Sequence, residues 1–123
     1  MEVYMDKGAV VGAIVLGALT VFGYARMFLS GRGSVKLKEI LPKAVVVDVR
    51  TNAEYKEGHY SGAINLPVEK IAKSSRKLGN TDKPIILYCA SGSRAGKAAR
   101  ILRRQGFQQV YNGINMTTLD SLK

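Results

Sequence analysis

The stretch from Ile85 to Arg104 constrains the fold more than any other. Ile85 to Tyr88 is a short apolar run, with Pro84 in front of it and small residues behind. That pattern predicts a strand buried on both faces. From Ala95 the small or apolar positions Ala95, Ala98, Ala99 and Leu102 recur at i, i+3, i+4 and i+7, and Lys97, Arg100, Arg103 and Arg104 fall largely elsewhere. This predicts an amphipathic helix. Gly106 is placed to cap it, and the basic last turn suits the negative end of the helix dipole. Between strand and helix lies Cys89-Ala90-Ser91-Gly92-Ser93-Arg94, a tight turn of small residues that carries the chain's only cysteine. In an open α/β sheet ligands bind at such strand ends.

The rest of the chain has the same alternation. Val35 to Leu41 reads as a brief strand turning into a helix that ends near Pro42. Ala44 to Val49 is continuous and β-branched, a buried strand. Asn52 to Glu57 reads as a short helix capped by Asn52, with Glu54 in its first turn. Ala63 to Leu66 is a short strand closed by Pro67, and Val68 to Leu78 is a second helix with Val68, Ile71, Ala72 and Leu78 inward. Phe107 to Tyr111 gives a last strand and Gly113-Ile114 a turn. The tail, residues 115–123, shows little pattern and is expected to fray. Strands alternating with helices predict a parallel sheet covered on both faces, α/β in class.

The first thirty residues differ. Gly8 to Ala25 is a run of 18 residues without a charge, and Met27-Phe28-Leu29 continue it past Arg26. Residues 8–29 therefore read as a transmembrane helix, with residues 1–7 a short N-terminal segment and Ser30-Gly31-Arg32-Gly33-Ser34 a flexible linker. Arg26, Arg32, Lys36 and Lys38 follow the run, which places the C-terminal domain in the cytoplasm by the positive-inside rule. A cleaved signal peptide is the competing reading. Gly23-Tyr24-Ala25 suits its cleavage site, but Glu2 and Asp6 stand where a basic start is wanted. Residues 35–114 remain for one small domain.

The net charge is +10 over 123 residues, and it lies in the C-terminal part. A basic domain suits anionic lipid or small anionic substrates. Nucleic acid is not expected, because no recognition motif and no interleaving of aromatics with basic residues occurs. One cysteine and one histidine do not build a metal site of the usual kinds, and no metal or cofactor is expected. A single cysteine makes no internal disulfide and fits a reducing compartment.

The thiolate is the nucleophilic form of cysteine, and a helix N-terminus lowers a thiol's pKa. Arg94 adds positive charge at the same place. Gly92 lets the backbone curl so that successive N–H groups point inward as an anion nest. Cys89 thus reads as an activated nucleophile over a cradle for a small anion; a buried, inert cysteine is the bland alternative.

Several motifs in order resemble the rhodanese family: Asp48-Val49-Arg50, Glu54-Tyr55, Gly58-His59, Gly62-Ala63-Ile64-Asn65-Leu66-Pro67, the strand and loop ILYC–ASGSRAG, and Gln109-Val110-Tyr111-Asn112 with Gly113-Ile114. The resemblance spans roughly residues 35–114. It implies a three-layer α/β/α domain around a mostly parallel sheet of about five strands. It also implies sulfur transfer, with the cysteine cycling between thiol and persulfide. Carried over by motif, Cys89 is the persulfide-forming nucleophile. Ala90, Ser91, Gly92, Ser93 and Arg94 bind the sulfur donor, and the Arg94 charge attracts it. Asp48, Arg50, Glu54 and His59 occupy signature positions read as mostly structural, with Arg50 pairing with Glu54 or Asp48.

The loop from Cys89 to Arg94 has six residues, the length the resemblance associates with sulfur rather than with phosphate. The cell-cycle phosphatases of this fold carry one residue more, so phosphatase or arsenate chemistry is disfavoured. The implied activity moves a sulfane sulfur from thiosulfate or a persulfide donor to cyanide or a thiol, small or on a protein. Without a second cysteine the persulfide has to pass to another molecule. A non-catalytic binding module at a membrane is the alternative. The sequence departs from the family pattern in its shortened closing turn and in lacking tryptophan. Ala90 also stands where many relatives carry something larger.

Overall fold

The β-branched and apolar runs become the strands of one sheet. The computed structural model describes residues 36–80 and 82–123. The transmembrane reading of residues 8–29 and the linker at 30–34 lie outside these residues. Among the described residues no helix is long and apolar enough to cross a membrane.

Four strands form, β1 (Val45–Asp48), β2 (Ile64–Asn65), β3 (Ile85–Tyr88) and β4 (Val110–Asn112). They lie in the order β2-β1-β3-β4, and every pairing is parallel. The sheet therefore has four strands among the described residues rather than about five. The missing one is the expected strand before Pro42: residues 36–40 are helical and lead into a 3-10 turn at Leu41–Lys43. Leu37, Ile40 and Leu41 are buried there. Their spacing of three and four is a helical stripe that a strand would not face one way.

Alternation in the strands sorts the core into two halves. Val47, Ile85, Leu87 and Cys89 face a cluster with Leu66, Ile71, Ala95, Ala99 and Leu102. Val46, Ile86 and Tyr88 face the opposite cluster with Ile40, Tyr60 and Leu119. Helices cover both faces, as strands buried on two sides require.

The helices differ in detail from the sequence reading. Helix α1 (Asn52–Glu57) is capped by Thr51, not Asn52. The Thr51 hydroxyl accepts from the Glu54 N–H while the Glu54 side chain accepts from the Thr51 N–H, a reciprocal capping box. The segment after Pro67 is not one helix. It is a 3-10 turn (Val68–Lys70), helix α2 (Ile71–Ser74) and a second 3-10 turn (Ser75–Leu78). The change falls at Ser74-Ser75, residues that compete with helical bonding. Val68, Ile71 and Leu78 are buried, but Ala72 is exposed. Helix α3 (Ser93–Arg104) starts two residues earlier than its apolar stripe, so Ser93 and Arg94 belong to its first turn. Gly106 takes φ +97 just beyond it, as a terminating glycine does.

The tail is ordered. Asn115 caps helix α4 (Met116–Asp120) by accepting from the Thr118 N–H at 2.8 Å, and Leu119 is fully buried. Leu119, with Met116 partly buried beside it, holds this helix to the sheet, which is too little periodicity to read in sequence.

Strand β1 neighbours both β2 and β3, so the chain leaves β1 to one side and returns on the other. The carboxyl ends of β1 and β3 flank this switch point, where an open α/β sheet forms its crevice. Asp48 and Tyr88 are the last residues of those two strands. Cys89 follows directly.

Candidate active site

Cys89 sits at the base of the loop, 2% exposed. Its N–H donates to the Ile114 carbonyl at 3.0 Å, which fixes its backbone against the turn after β4. Its Sγ accepts from the Gly92 N–H at 3.0 Å. Burial pushes the thiol's pKa up, but the backbone N–H groups of Ala95, Ser91, Gly92 and Arg94 favour the charged form and outweigh that effect. The net shift is downward, toward the thiolate. The donors span the turn and the first turn of α3, so the predicted anion nest and helix N-terminus act together.

Gly92 supplies the curl. It takes φ +90 as the residue before α3. A Cβ there would meet Cα and Cγ2 of Ile114 at 3.4 Å and Asn112 Oδ1 at 3.6 Å. Those are ordinary contact distances, so it is the left-handed conformation that calls for glycine. Ala90, Ser91 and Ser93 are exposed around the mouth.

Arg94 is not a lone cation awaiting an anionic donor. Its Nη1 and Nη2 donate to Oε1 and Oε2 of Glu54 at 2.7 and 3.1 Å, a two-pronged pair between α3 and α1. The pair is about one third exposed on each side. Arg94 holds the Glu54 carboxyl down at about 2, helped by the N–H of Thr51. Glu54 in turn raises the pKa of Arg94, with the charge of Cys89 contributing as well. Glu54 therefore orients the cation that faces the thiolate.

Asp48 and Arg50 stand behind the thiol. Asp48 is fully buried, and Arg50 chooses it over Glu54: Nε bonds both carboxylate oxygens at 3.0 Å and Nη2 bonds Oδ2 at 2.7 Å. The Arg50 Nη2 also donates to the Gly58 carbonyl at 2.6 Å. Tyr88 donates its hydroxyl to Asp48 Oδ2 at 2.7 Å and accepts from the Tyr60 N–H at 2.9 Å. Burial raises the Tyr88 phenol to about 12, so it stays a donor. The Arg50 guanidinium lies over the Tyr88 ring, 5.6 Å from its centre. A buried carboxylate is tolerated only when bonded this fully.

His59 is apart from the loop. It stacks on Tyr55, with ring centres 3.7 Å apart, and its Nδ1 contacts the Tyr55 carbonyl at 2.9 Å. These contacts serve the end of α1 and give it no place beside Cys89.

Two residues of the site went unread in sequence. Asn112 donates from Nδ2 to the Gly92 carbonyl at 2.9 Å and accepts at Oδ1 from the Ile114 N–H at 2.9 Å. It clasps the cysteine loop to the turn after β4. A short amide just after a strand was the available signal. Tyr88 was read only as an apolar strand residue, although a phenol in a buried strand must find a partner. A cleft of about 180 Å³ opens beside the thiol, lined by Arg50, Tyr88, Cys89, Ala90, Asn115, Met116 and Thr117. The tail thus forms one wall of the site.

A small acidified thiol, a ring of amides around its sulfur and an oriented arginine on a parallel α/β sheet match a known family. The model of the rhodanese-like domain matches residues 34–113. The chain belongs to the rhodanese-like family. Among curated relatives, the uncharacterized protein YqhL of Bacillus subtilis is 40% identical over 70 residues, 57% of this chain and 55% of YqhL. The putative sulfur carrier protein YrkF of the same organism is 36% identical over 67 residues, 54% of this chain and 36% of its own length. The tRNA uridine(34) hydroxylase of Cronobacter sakazakii is 34% identical over 76 residues, 58% of this chain and 22% of the hydroxylase. The chain thus spans about half or less of these relatives. Among solved structures, a rhodanese with anions from E. coli is 26% identical with a TM-score of 0.57, covering 61% of this chain and 89% of its own. The human single domain sulfurtransferase TSTD1, 22% identical with a TM-score of 0.57, covers 63% and 81% and shares the fold.

Proposed function

We propose that this rhodanese-like chain is a sulfurtransferase whose Cys89 carries the sulfur. The observation that carries this reading is the Gly92 N–H bond to Cys89 Sγ at 3.0 Å at the start of α3, which favours the thiolate despite burial. The names of a sulfur carrier and of a single domain sulfurtransferase among its relatives support it. Cys89 thiolate attacks the outer sulfur of thiosulfate. A new S–S bond forms on Cys89, and the S–S bond of thiosulfate breaks with its electron pair leaving on sulfite. The amide ring then faces the persulfide anion, so charge stays where the donors already point. A second nucleophile, cyanide or a thiolate, takes the outer sulfur and returns the pair to Cys89. Neither half needs a cofactor.

We place the domain at the cytoplasmic face of a membrane, on the strength of the uncharged Gly8–Ala25 run and the arginines and lysines that follow it. In that reading the working domain runs from residue 35 on through the tail, because Asn115, Met116 and Thr117 line the cleft.

Thiocyanate formation from thiosulfate and cyanide tests the chemistry. The chain makes thiocyanate, and Cys89→Ser makes none above the uncatalysed rate. Equal rates for both proteins would contradict the proposal.

A further inference from the structure

Ile114 is a β-branched residue held in left-handed backbone, φ +69. It is the only non-glycine residue with positive φ among the described residues, and such a residue is a genuine outlier. It is also one of two exposed large hydrophobic side chains among them, 43% exposed. The fold does not ask for this side chain. What the site uses is the Ile114 backbone, whose N–H is bound by Asn112 Oδ1 and whose carbonyl accepts from Cys89. Glycine or asparagine would serve both bonds with less strain. The side chain lies against Gly92, whose N–H holds the Cys89 sulfur. A strained apolar group is thus displayed to solvent at the rim of the thiol loop. Strain of this kind at a reacting centre points to a use.

We propose that Ile114 is a specificity-determining residue that contacts the apolar residue flanking the thiol of a peptide or protein sulfur acceptor. The proposal rests on the sulfurtransferase reading. Thiosulfate, sulfite and cyanide are small and polar and offer Ile114 nothing to bury. Cys89 is 2% exposed, so an acceptor thiol has to descend into the loop, and the residues beside it then cover the rim. In the step concerned, the acceptor thiolate attacks the outer sulfur of the Cys89 persulfide. A new S–S bond forms on the acceptor, the old one breaks, and its electron pair returns to Cys89 as thiolate. No oxidant or reductant is consumed.

The test uses the full chain loaded from thiosulfate, with one added sulfur confirmed by mass. Transfer is then timed to two amidated peptides, Phe-Cys-Leu and Gly-Cys-Gly. The native chain favours Phe-Cys-Leu by roughly fivefold to tenfold in kcat/KM, the scale set by a few methylenes of apolar contact. Ile114→Gly and Ile114→Asn cut that preference to about twofold or less while raising Tm, because both relieve the backbone. Ile114→Val keeps most of the preference. Equal transfer to the two peptides by the native chain, or an undiminished preference in Ile114→Gly, would overturn the assignment. Failure of the native chain to load sulfur at all sinks the sulfurtransferase reading first, and this assignment with it.

Discussion

Cys89 is set by its immediate neighbours, and its behaviour with pH follows from them. Its pKa is lowered, so persulfide formation rises with pH through a midpoint below the ordinary thiol range and then levels. Arg94 supports the thiolate by its charge, and Arg94→Ala moves the midpoint upward and slows loading at pH 7. An unshifted midpoint in Arg94→Ala would show that the amides alone set the thiol. Glu54 has the opposite sign logic. Its folded value of about 2 lies below the ordinary carboxylate value of 4.5, so its contribution to stability is complete above that value and is lost as pH falls toward 2. The pair is a third exposed, so Glu54→Gln costs only about 0.5 kcal/mol near neutral pH, and the gap from the native chain narrows as pH falls through 2. Denaturant titrations at several pH values measure this. The thiol, Gly92 and Arg94 were legible in sequence because loop chemistry is local. The choice of partner for Arg94 was not, because Glu54 lies forty positions away and only the fold brings α1 to α3.

Strands β1 and β3 and helix α3 were legible because a run buried on both faces and a stripe at helical spacing both survive in one dimension. The closing segment was not. Its order depends on Asn112, Gly113 and Leu119, whose partners lie far away in the chain. Asn112→Ala removes both bonds that clasp the Cys89 loop, and it costs about 1–3 kcal/mol with loading slowed. Leu119→Ala empties a fully buried site and costs about 3 kcal/mol, although sequence alone places Leu119 in a fraying tail. Chemical denaturation of each variant checks both, and a Leu119→Ala chain as stable as the native one would return the tail to the status of a loose end. Gly113 is closed to any side chain, since a Cβ would approach Ile86 Cγ2 at 2.7 Å and Leu119 Cδ2 at 2.9 Å. The turn is therefore pinned between the sheet and α4. Ile114, the next residue, inherits its left-handed backbone from that position.

Across the whole domain, one topological fact gathers the chemistry. The chain leaves β1 on one side and comes back on the other, so the ends of β1 and β3 deliver Arg50, Tyr88 and Cys89 to the same crevice, with Asp48 buried behind them. The buried Asp48–Arg50–Tyr88 network ties those strand ends together behind the thiol. The loop and the turn after β4 then close over them through Asn112. All of this serves one claim, that Cys89 accepts and hands on a sulfane sulfur. The most direct measurement is the intact mass of the chain after brief exposure to thiosulfate without reductant. The predicted result is a single added sulfur, lost on adding cyanide and never seen in Cys89→Ser. A native chain whose mass does not change with thiosulfate or a persulfide donor would contradict the account.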